Sequence, residues 1–285
     1  MAGGLSLNML APLPVPPAPA GLPRAVGAVV LSAVQARGAA RIAGLRQSGS
    51  LKLLFPRRVG PALEAVLLNT AGGLTGGDRM EVEVTAGPGA RVVMTTQAAE
   101  RAYRALAGTE ARVTVRLAVR AGARIDWLPQ ETIVYDGSAL VRSLHLDLDP
   151  EGQALLVEPL IFGRAAMGEV LRAALLRDRW EVRCDGQLVF VDALRLEGDL
   201  AAQLQRPAVA GGAGAMASVL LVGPGAATGL AALRPLLPPG SGVSLLHDGL
   251  LFARLLAPDG LALRKLLIPV IETLSAAALP KVWRL

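Results

Sequence analysis

Alternation of apolar and polar side chains dominates the chain from about residue 24 to residue 200. In three stretches every second residue is apolar: Met80, Val82 and Val84; Val113, Val115, Leu117 and Val119; and Leu144, Leu146 and Leu148. A period of two places all the apolar side chains on one face, so each stretch is predicted to be a half-buried strand. A glycine-bearing turn and a second apolar stretch follow each one, which predicts hairpins.

The strand units recur at a long period. The sequence GARVVMTTQ at residues 89–97 resembles GARIDWLPQ at residues 122–130, an offset of 33 residues, and a turn glycine recurs at Gly152. Regular recurrence of one supersecondary unit indicates either stacked coils or sandwiched hairpins. A further strand pair within residues 179–196 is predicted to turn at Asp185-Gly186.

Helical spacing occurs at residues 96–107, which are predicted to form a short helix, and at residues 261–280, where Pro269 is expected to kink or split the helix. We therefore predict a mainly β fold of stacked β-hairpins or β-helix-like layers, with a few helices, mostly in the C-terminal part. The Pro/Ala-rich residues 1–23 are predicted to be a flexible lead-in, and residues 24–285 a single domain.

Composition narrows the class of protein. A hydrophobic content of 52% and a mean hydropathy of +0.46 exclude a mainly disordered chain. The net charge is +6, but the arginines are scattered and not interleaved with aromatic residues, so no nucleic-acid binding is predicted. Pro224, Arg234 and Pro235 interrupt the apolar residues 218–237, which predicts core elements and no membrane span. With Cys184 as the only cysteine and no visible secretion signal, we expect a soluble cytoplasmic protein.

The segment NTAGGLTGGD at residues 69–78 is the first candidate for chemistry. A phosphate-binding loop needs Lys and Ser or Thr after its last glycine, whereas Asp78 follows here and would repel phosphate. We interpret the segment as a tight corner of the backbone in which Asp78 caps free amides. The glycines that would make the corner are Gly72, Gly73, Gly76 and Gly77.

Other polar residues offer no complete active site. Gln97 and Gln130 end equivalent strands, where they either display functional groups or satisfy the backbone of turns. Arg164 and Glu169 are spaced to form an ion pair around a turn. His145 and His247 are the only histidines, so no tight metal site is predicted. No nucleophile, base and orienting acid can be assembled from these residues.

Five motifs together resemble one known family. NTAGGLTGGD, MTTQAAERAYR, DWLPQETIVYDG, FGRAAMGE and the terminal LPKVWRL occur in the order and spacing of the urease accessory proteins UreD, also called UreH. The resemblance runs from about residue 24 to the end of the chain. The departures are small: Asn69-Thr70-Ala71 stands where the family commonly has Asn-Pro-Pro, and Asp126 stands where it often has Glu.

The resemblance implies a maturation factor and not an enzyme. UreD proteins bind apo-urease and, with UreF and the GTPase UreG, help to install nickel at the urease active site. The family fold is a β-rich stack of strands with a few helices, and an internal passage through it has been proposed as a nickel route. No tightly bound cofactor is expected, only nickel in transit.

The resemblance also suggests roles for particular residues. We expect Asp78, Glu131 and Glu169 to line the passage as weak, transient nickel ligands, because carboxylates release a late divalent metal more readily than a cluster of histidines or thiolates. The C-terminal segment with Pro269 and Trp283 is a candidate contact for UreF. Two alternatives remain open: a docking scaffold without ion transit, and an unrelated β-rich enzyme that uses carboxylates.

Overall fold

The computed structural model describes residues 23–57 and 60–284. The predicted lead-in, apart from Pro23, lies outside the described residues. The first nine strands are β1 (Val26–Ala36), β2 (Ala39–Gly49), β3 (Leu51–Leu54), β4 (Leu63–Asn69), β5 (Arg79–Ala86), β6 (Arg91–Thr96), β7 (Glu100–Ala102), β8 (Ala111–Val119) and β9 (Arg124–Leu128). The other eight are β10 (Thr132–Val134), β11 (Ala139–Leu148), β12 (Gln153–Phe162), β13 (Ala174–Cys184), β14 (Gln187–Gly198), β15 (Ala215–Val222), β16 (Gly242–His247) and β17 (Leu250–Ala257).

The helices are few and mostly late in the chain. They are α1 (Leu200–Gln205), α2 (Ala226–Leu233) and α3 (Gly260–Leu274), with short 3-10 turns at Ala165–Met167, Arg234–Leu236 and Lys281–Arg284. The prediction of a mainly β fold with its helices in the C-terminal part is therefore confirmed. The helix predicted at residues 96–107 is wrong, because β7 occupies part of it. Helix α3 forms as predicted and runs through Pro269 without being split.

The strands form two sheets that face each other. The first has the order β14-β13-β11-β8-β5-β1-β2, and the second β16-β17-β15-β12-β9-β6-β4-β3, with β7 and β10 beside the end of β12. Along the chain the strands alternate between the sheets, so that β5, β8 and β11 stack in parallel in the first while β6, β9 and β12 do so in the second. Each pair of strands is thus one turn of a β-solenoid.

The solenoid confirms stacked layers and corrects the predicted hairpins. Arg91 lies beside Arg124 and Arg79 beside Arg112, both offsets of 33 residues, so the repeat seen in the sequence is one coil. The turns after β5, β8 and β11 carry the chain from one sheet to the other, and the strands that they join do not pair. A hairpin and a solenoid coil both have a glycine turn between two apolar runs. The local sequence pattern therefore could not distinguish a hairpin from a coil. The hairpin predicted at Asp185-Gly186 does form, between β13 and β14, with both turn residues at positive φ.

Two apolar layers hold the coils together. One lies between the sheets, where Val82, Leu117 and Leu146 are buried. The other lies between the second sheet and the helical part of the chain, where Leu155, Val219 and α3 meet. The central strands of the second sheet are therefore buried on both faces, which explains why β12 is a nearly continuous apolar run while the first-sheet strands alternate.

Candidate functional site: an internal cavity and an exposed motif face

A cavity of about 200 Å³ lies between the two sheets. Its walls are mostly apolar and include Leu51, Leu74, Val115 and Trp127. At one end it reaches the surface beside the exposed residues Gly72, Gln97, Ala98 and Arg101; at the other it is bordered by the buried Arg142 and Glu158. The cavity thus joins the surface to charged groups in the core.

At the buried end of the cavity, Arg142 and Glu158 form a charged triad with Asp178. Strand β11 presents Arg142 on its inward face, in line with Leu140 and Leu144. The Arg142 guanidinium donates to Asp178 through Nε at 3.1 Å and Nη2 at 2.5 Å, and its Nη1 donates to Glu158 Oε2. Trp127 Nε1 donates to the other Glu158 oxygen at 2.7 Å. One cation therefore serves two buried carboxylates.

This imbalance affects the titration of Glu158. Burial raises the pKa of Glu158 to about 7, and the nearby Asp178 carboxylate adds to the rise. The attraction of Arg142 and the hydrogen bond from Trp127 both lower this pKa and so oppose the rise. Nearer the mouth, burial also raises the pKa of Glu100, against a hydrogen bond donated by Asn69 Nδ2 at 3.0 Å.

A second group of motif residues meets on the surface, where successive coils turn after the second sheet. Strands β7, β10 and β12 pair in parallel, with Val134 beside both Ala102 and Phe162. The residues that follow each strand therefore stack. We call the resulting cluster the motif face: Tyr103, Arg104, Tyr135, Asp136, Arg164 and Glu169.

Each side chain of the motif face is fixed by another. The rings of Tyr103 and Tyr135 meet edge to face with centroids 5.2 Å apart, and the Arg164 guanidinium lies 4.3 Å above the Tyr135 ring. Arg164 donates to both oxygens of Glu169, at 2.9 and 2.8 Å, so the ion pair predicted from the sequence is confirmed. These hydrogen bonds lower the pKa of Glu169 to about 2, in spite of its partial burial.

Asp136 is held just as firmly. It accepts from the backbone amides of Ala173 and Arg172 at 3.0 and 2.8 Å and from Arg104 Nη2 at 2.8 Å. The Ala173 amide is the largest of the bonds that lower the pKa of Asp136. The face is an ordered surface, not a set of independent long side chains.

The segment 69–78 supports the motif face from below. Asp78 accepts from the backbone amides of Ala25 and Thr75, both at 2.8 Å, so the predicted capping role is confirmed. A Cβ on Gly73 would lie 2.2 Å from Tyr103 Cε2, and one on Gly76 would lie 2.0 Å from Thr109 Oγ1. Gly72 and Gly77 have positive φ values of 78° and 94°. The glycines are backbone geometry, as interpreted from the sequence.

The second predicted cluster joins the C-terminal segment to the second sheet. Arg264 of α3 donates to Glu131 at 3.0 and 3.1 Å, to Gln130 Oε1 at 3.2 and 3.3 Å, and to the carbonyls of Val282 and Trp283. Gln130 in turn donates to the Thr96 and Gln97 carbonyls, so it satisfies the backbone of a turn. We call Arg264 and its partners the C-terminal latch.

Trp283 belongs to the core of this arrangement. Its side chain is 1% exposed, and its Nε1 donates to the Leu128 carbonyl at 3.1 Å. The indole is therefore not displayed at the surface of this structure, and the C-terminal segment with Pro269 and Trp283 stays a predicted contact for UreF. Burial of the last turn could not be predicted from the sequence, since an apolar C-terminus serves a core and an interface equally well.

The structure does not bring the three expected metal-passage residues together. Asp78 lies under the motif face, Glu131 in the latch and Glu169 on the motif face, and none of them borders the cavity. Within residues 23–57 and 60–284, no three His, Cys, Asp or Glu side chains lie close enough to hold a metal ion. Among the other predicted residues, Gly72, Gln97 and Gln130 do border the cavity.

The triad of Arg142, Glu158 and Asp178 was not predicted from the sequence. Departures from the hydrophobic pattern mark it: Arg142 occupies an inward position of the alternating strand β11, and Glu158 interrupts the apolar run of β12. A charge at a position that the pattern assigns to the core is costly unless it is paired, and so indicates a buried ionic site. Asp178 is also at an inward position, on β13, but it stands within the polar run at residues 177–179, which hides the departure.

Comparison with known proteins now decides the family. Residues 25–284 match the family model described as UreD urease accessory protein. The chain belongs to the UreD family. Proteins named urease accessory protein UreD from Roseobacter denitrificans and Rhizobium rhizogenes are each 48% identical to it over 263 residues, which cover 92% of this chain and 96% of each relative. The relative of the same name from Ruegeria pomeroyi is 48% identical over 239 residues, 84% of this chain and 93% of its own length.

The match confirms the resemblance drawn from the five motifs and supports a role in urease maturation. Within the described ranges the longest helix, α3, has 15 residues, and no helix there has the length and apolar character of a membrane span.

Proposed function

We propose that this chain is a non-enzymatic urease maturation factor in the cytoplasm. It binds apo-urease together with UreF and, through UreF, the GTPase UreG. In this complex it assists nickel insertion into the urease active site. The observation that carries the proposal is family membership over nearly the whole chain, with residues of three motif segments side by side on one face. A protein that works by assembly needs ordered, exposed side chains, whereas catalysis needs a reacting constellation that no residue set described above supplies.

Co-purification tests the assembly. The tagged chain is mixed with purified UreF and apo-urease, with and without UreG, and the complex is isolated by size exclusion. The proposal predicts a complex that contains all the added proteins and that loses urease when the chain is left out. Separate elution of the chain from both UreF and apo-urease would contradict it.

We further propose that nickel passes through the cavity between the sheets. Two observations support this route. The cavity reaches from the surface to the buried triad, and the two acidic residues that border it in the described part of the chain, Glu100 and Glu158, both have raised pKa values. A carboxylate whose pKa is raised holds a proton more readily, and because the proton competes with a divalent ion, the ion is bound more weakly, as transit requires.

Docking without ion transit is the second candidate. It is favoured by the bonds of the carboxylates first expected to carry nickel. Asp78 is occupied by two backbone amides, Glu131 by Arg264 and Glu169 by Arg164. Each of these side chains therefore has a structural role that accounts for its place in a family motif.

Nickel-dependent activation of apo-urease by carboxylate variants separates the two. Transit through the cavity predicts that Glu100→Gln and Glu158→Gln lower the activated fraction at least 5-fold while the complex still forms. The exposed Glu81→Gln serves as the matched control. Wild-type activation by both cavity variants would leave docking as the function. Loss of activation in Asp78→Asn or Glu131→Gln with an intact complex would return the route to the residues expected from the sequence.

A further inference from the structure

The motif face has the composition of a protein-binding surface. Tyr103 is 38% exposed, and the adjoining turn presents Met167 and Val170 at 74% and 47% exposure. Arginine, tyrosine and methionine are enriched at the centres of protein interfaces, whereas lysine and glutamate, which dominate ordinary surfaces, are depleted there. The large apolar side chains beside the Arg–Tyr stack therefore form part of one binding surface and are not isolated exposed residues.

The face is also pre-organised for binding. The stacking of Arg164 on Tyr135 and the ion pairs of Arg164 and Arg104 hold these side chains in one arrangement before any partner arrives. Ordering a long, flexible side chain on association costs conformational entropy. Side chains that are already fixed avoid most of this cost, so a modest contact area can give stable binding.

Charge selects the partner. Asp136 and Glu169 are each neutralised by an arginine of the face, at Arg104 and Arg164. Arg101 lies beside the Tyr103 hydroxyl, is exposed, and forms no salt bridge with any carboxylate in the described ranges. The Glu100 carboxylate attracts this guanidinium and offsets part of its charge, but it forms no salt bridge with it. The rim of the motif face consequently carries a cation without a salt-bridge partner next to apolar and aromatic surface.

We propose that the motif face, with Arg101 at its rim, binds a segment of a partner protein in which a carboxylate is flanked by apolar side chains. The carboxylate pairs with Arg101, and the apolar groups cover Tyr103, Met167 and Val170. The identity of the partner rests on the proposed function, which makes purified UreF and purified apo-urease the two probes.

Binding to each probe is measured by biolayer interferometry with the immobilised chain at two ionic strengths. We expect one probe to lose at least 10-fold in affinity with Arg101→Glu and with Met167→Asp. The salt dependence of binding should fall in Arg101→Glu only, because only that variant removes an ion pair. The control is Arg91→Glu, an exposed arginine without a salt bridge in the described residues, at the far end of β6; it should change the affinity less than 2-fold.

The outcomes are distinguishable. Wild-type affinity of both face variants for both probes would overturn the docking proposal and leave the maturation role intact. If the wild-type chain binds neither probe, both proposals fail. A concentration-dependent dimer of the wild-type chain in light scattering that Met167→Asp abolishes would assign the face to a second copy of this chain, and would also overturn it. Thermal melting of each variant verifies that the fold is retained.

Discussion

At the scale of single residues, the main feature of this protein is a cation in the core. Arg142 replaces an apolar residue in the alternating strand β11, and two buried carboxylates share it. A paired buried ionic group contributes little more to stability than an apolar group would, but its removal leaves its partners charged and desolvated. The triad is therefore a weak source of stability and a strict constraint on sequence.

Replacing Arg142 with Leu tests this constraint. The variant leaves Glu158 and Asp178 without a counter-charge, and we expect it to lower the free energy of unfolding by about 3–5 kcal/mol. Urea denaturation followed by circular dichroism measures the loss. Arg179→Leu, which removes an exposed ion pair on the neighbouring strand β13, should change stability little. Equal losses in the two variants would refute the distinction.

The raised pKa of Glu158 predicts a pH dependence of stability. The pKa is about 7 in the folded chain and lies near its ordinary value of 4.5 when unfolded, so the folded state holds this proton more tightly. The contribution is fully present below pH 4.5 and is lost as the pH rises through 7. Wild type should therefore gain stability relative to Glu158→Gln as the pH falls from 8 to 5. A difference between the two proteins that stays constant over this range would contradict the assignment.

At the scale of elements, the turns determine which sheet each strand joins. Alternation along the first-sheet strands, the 33-residue repeat and the Asp185-Gly186 hairpin could all be predicted, because each depends on local periodicity or on a two-residue turn. The solenoid could not be separated from stacked hairpins, since the choice depends on which sheet the second strand joins. The same limit applies to the site. Asp78 as a cap and the Arg164–Glu169 pair were predictable from short spacing, whereas the triad joins residues 16 and 36 positions apart.

Gly73 tests the packing of the corner. Gly73→Ala places a Cβ 2.2 Å from the Tyr103 ring, and the ring must move away from the motif face. We expect a loss of about 1–3 kcal/mol in the free energy of unfolding from this overpacking. Gly242→Ala is the control, because a Cβ added there would meet nothing within 4 Å. Unchanged stability of Gly73→Ala would show that Tyr103 does not need the corner.

The C-terminal latch is tested by removing its arginine. Arg264→Ala leaves the buried Glu131 unpaired and frees the Val282 and Trp283 carbonyls. We expect a loss of about 2 kcal/mol and faster hydrogen exchange of the Trp283 indole N–H, followed by NMR. Arg284→Ala, which breaks only an exposed pair with Glu272, should leave that exchange unchanged. Wild-type protection of the indole in Arg264→Ala would mean that packing alone holds the C-terminus.

At the scale of the whole molecule, the solenoid brings residues that are far apart in the chain onto one face. The ends of β7, β10 and β12 lie side by side, so three of the five motifs meet in the motif face, while the terminal motif lies in the C-terminal latch. The fold is in this sense a scaffold that displays the motif face and holds a cavity between its sheets.

The most direct test of the maturation role is urease activation in a strain that lacks its own UreD. Cells that express urease, UreF and UreG are grown with nickel, with and without this chain, and urease activity and bound nickel are measured in the purified enzyme. A maturation factor should raise both at least 10-fold, and both should fall back when nickel is withheld. Equal activity and nickel content with and without the chain would contradict this role.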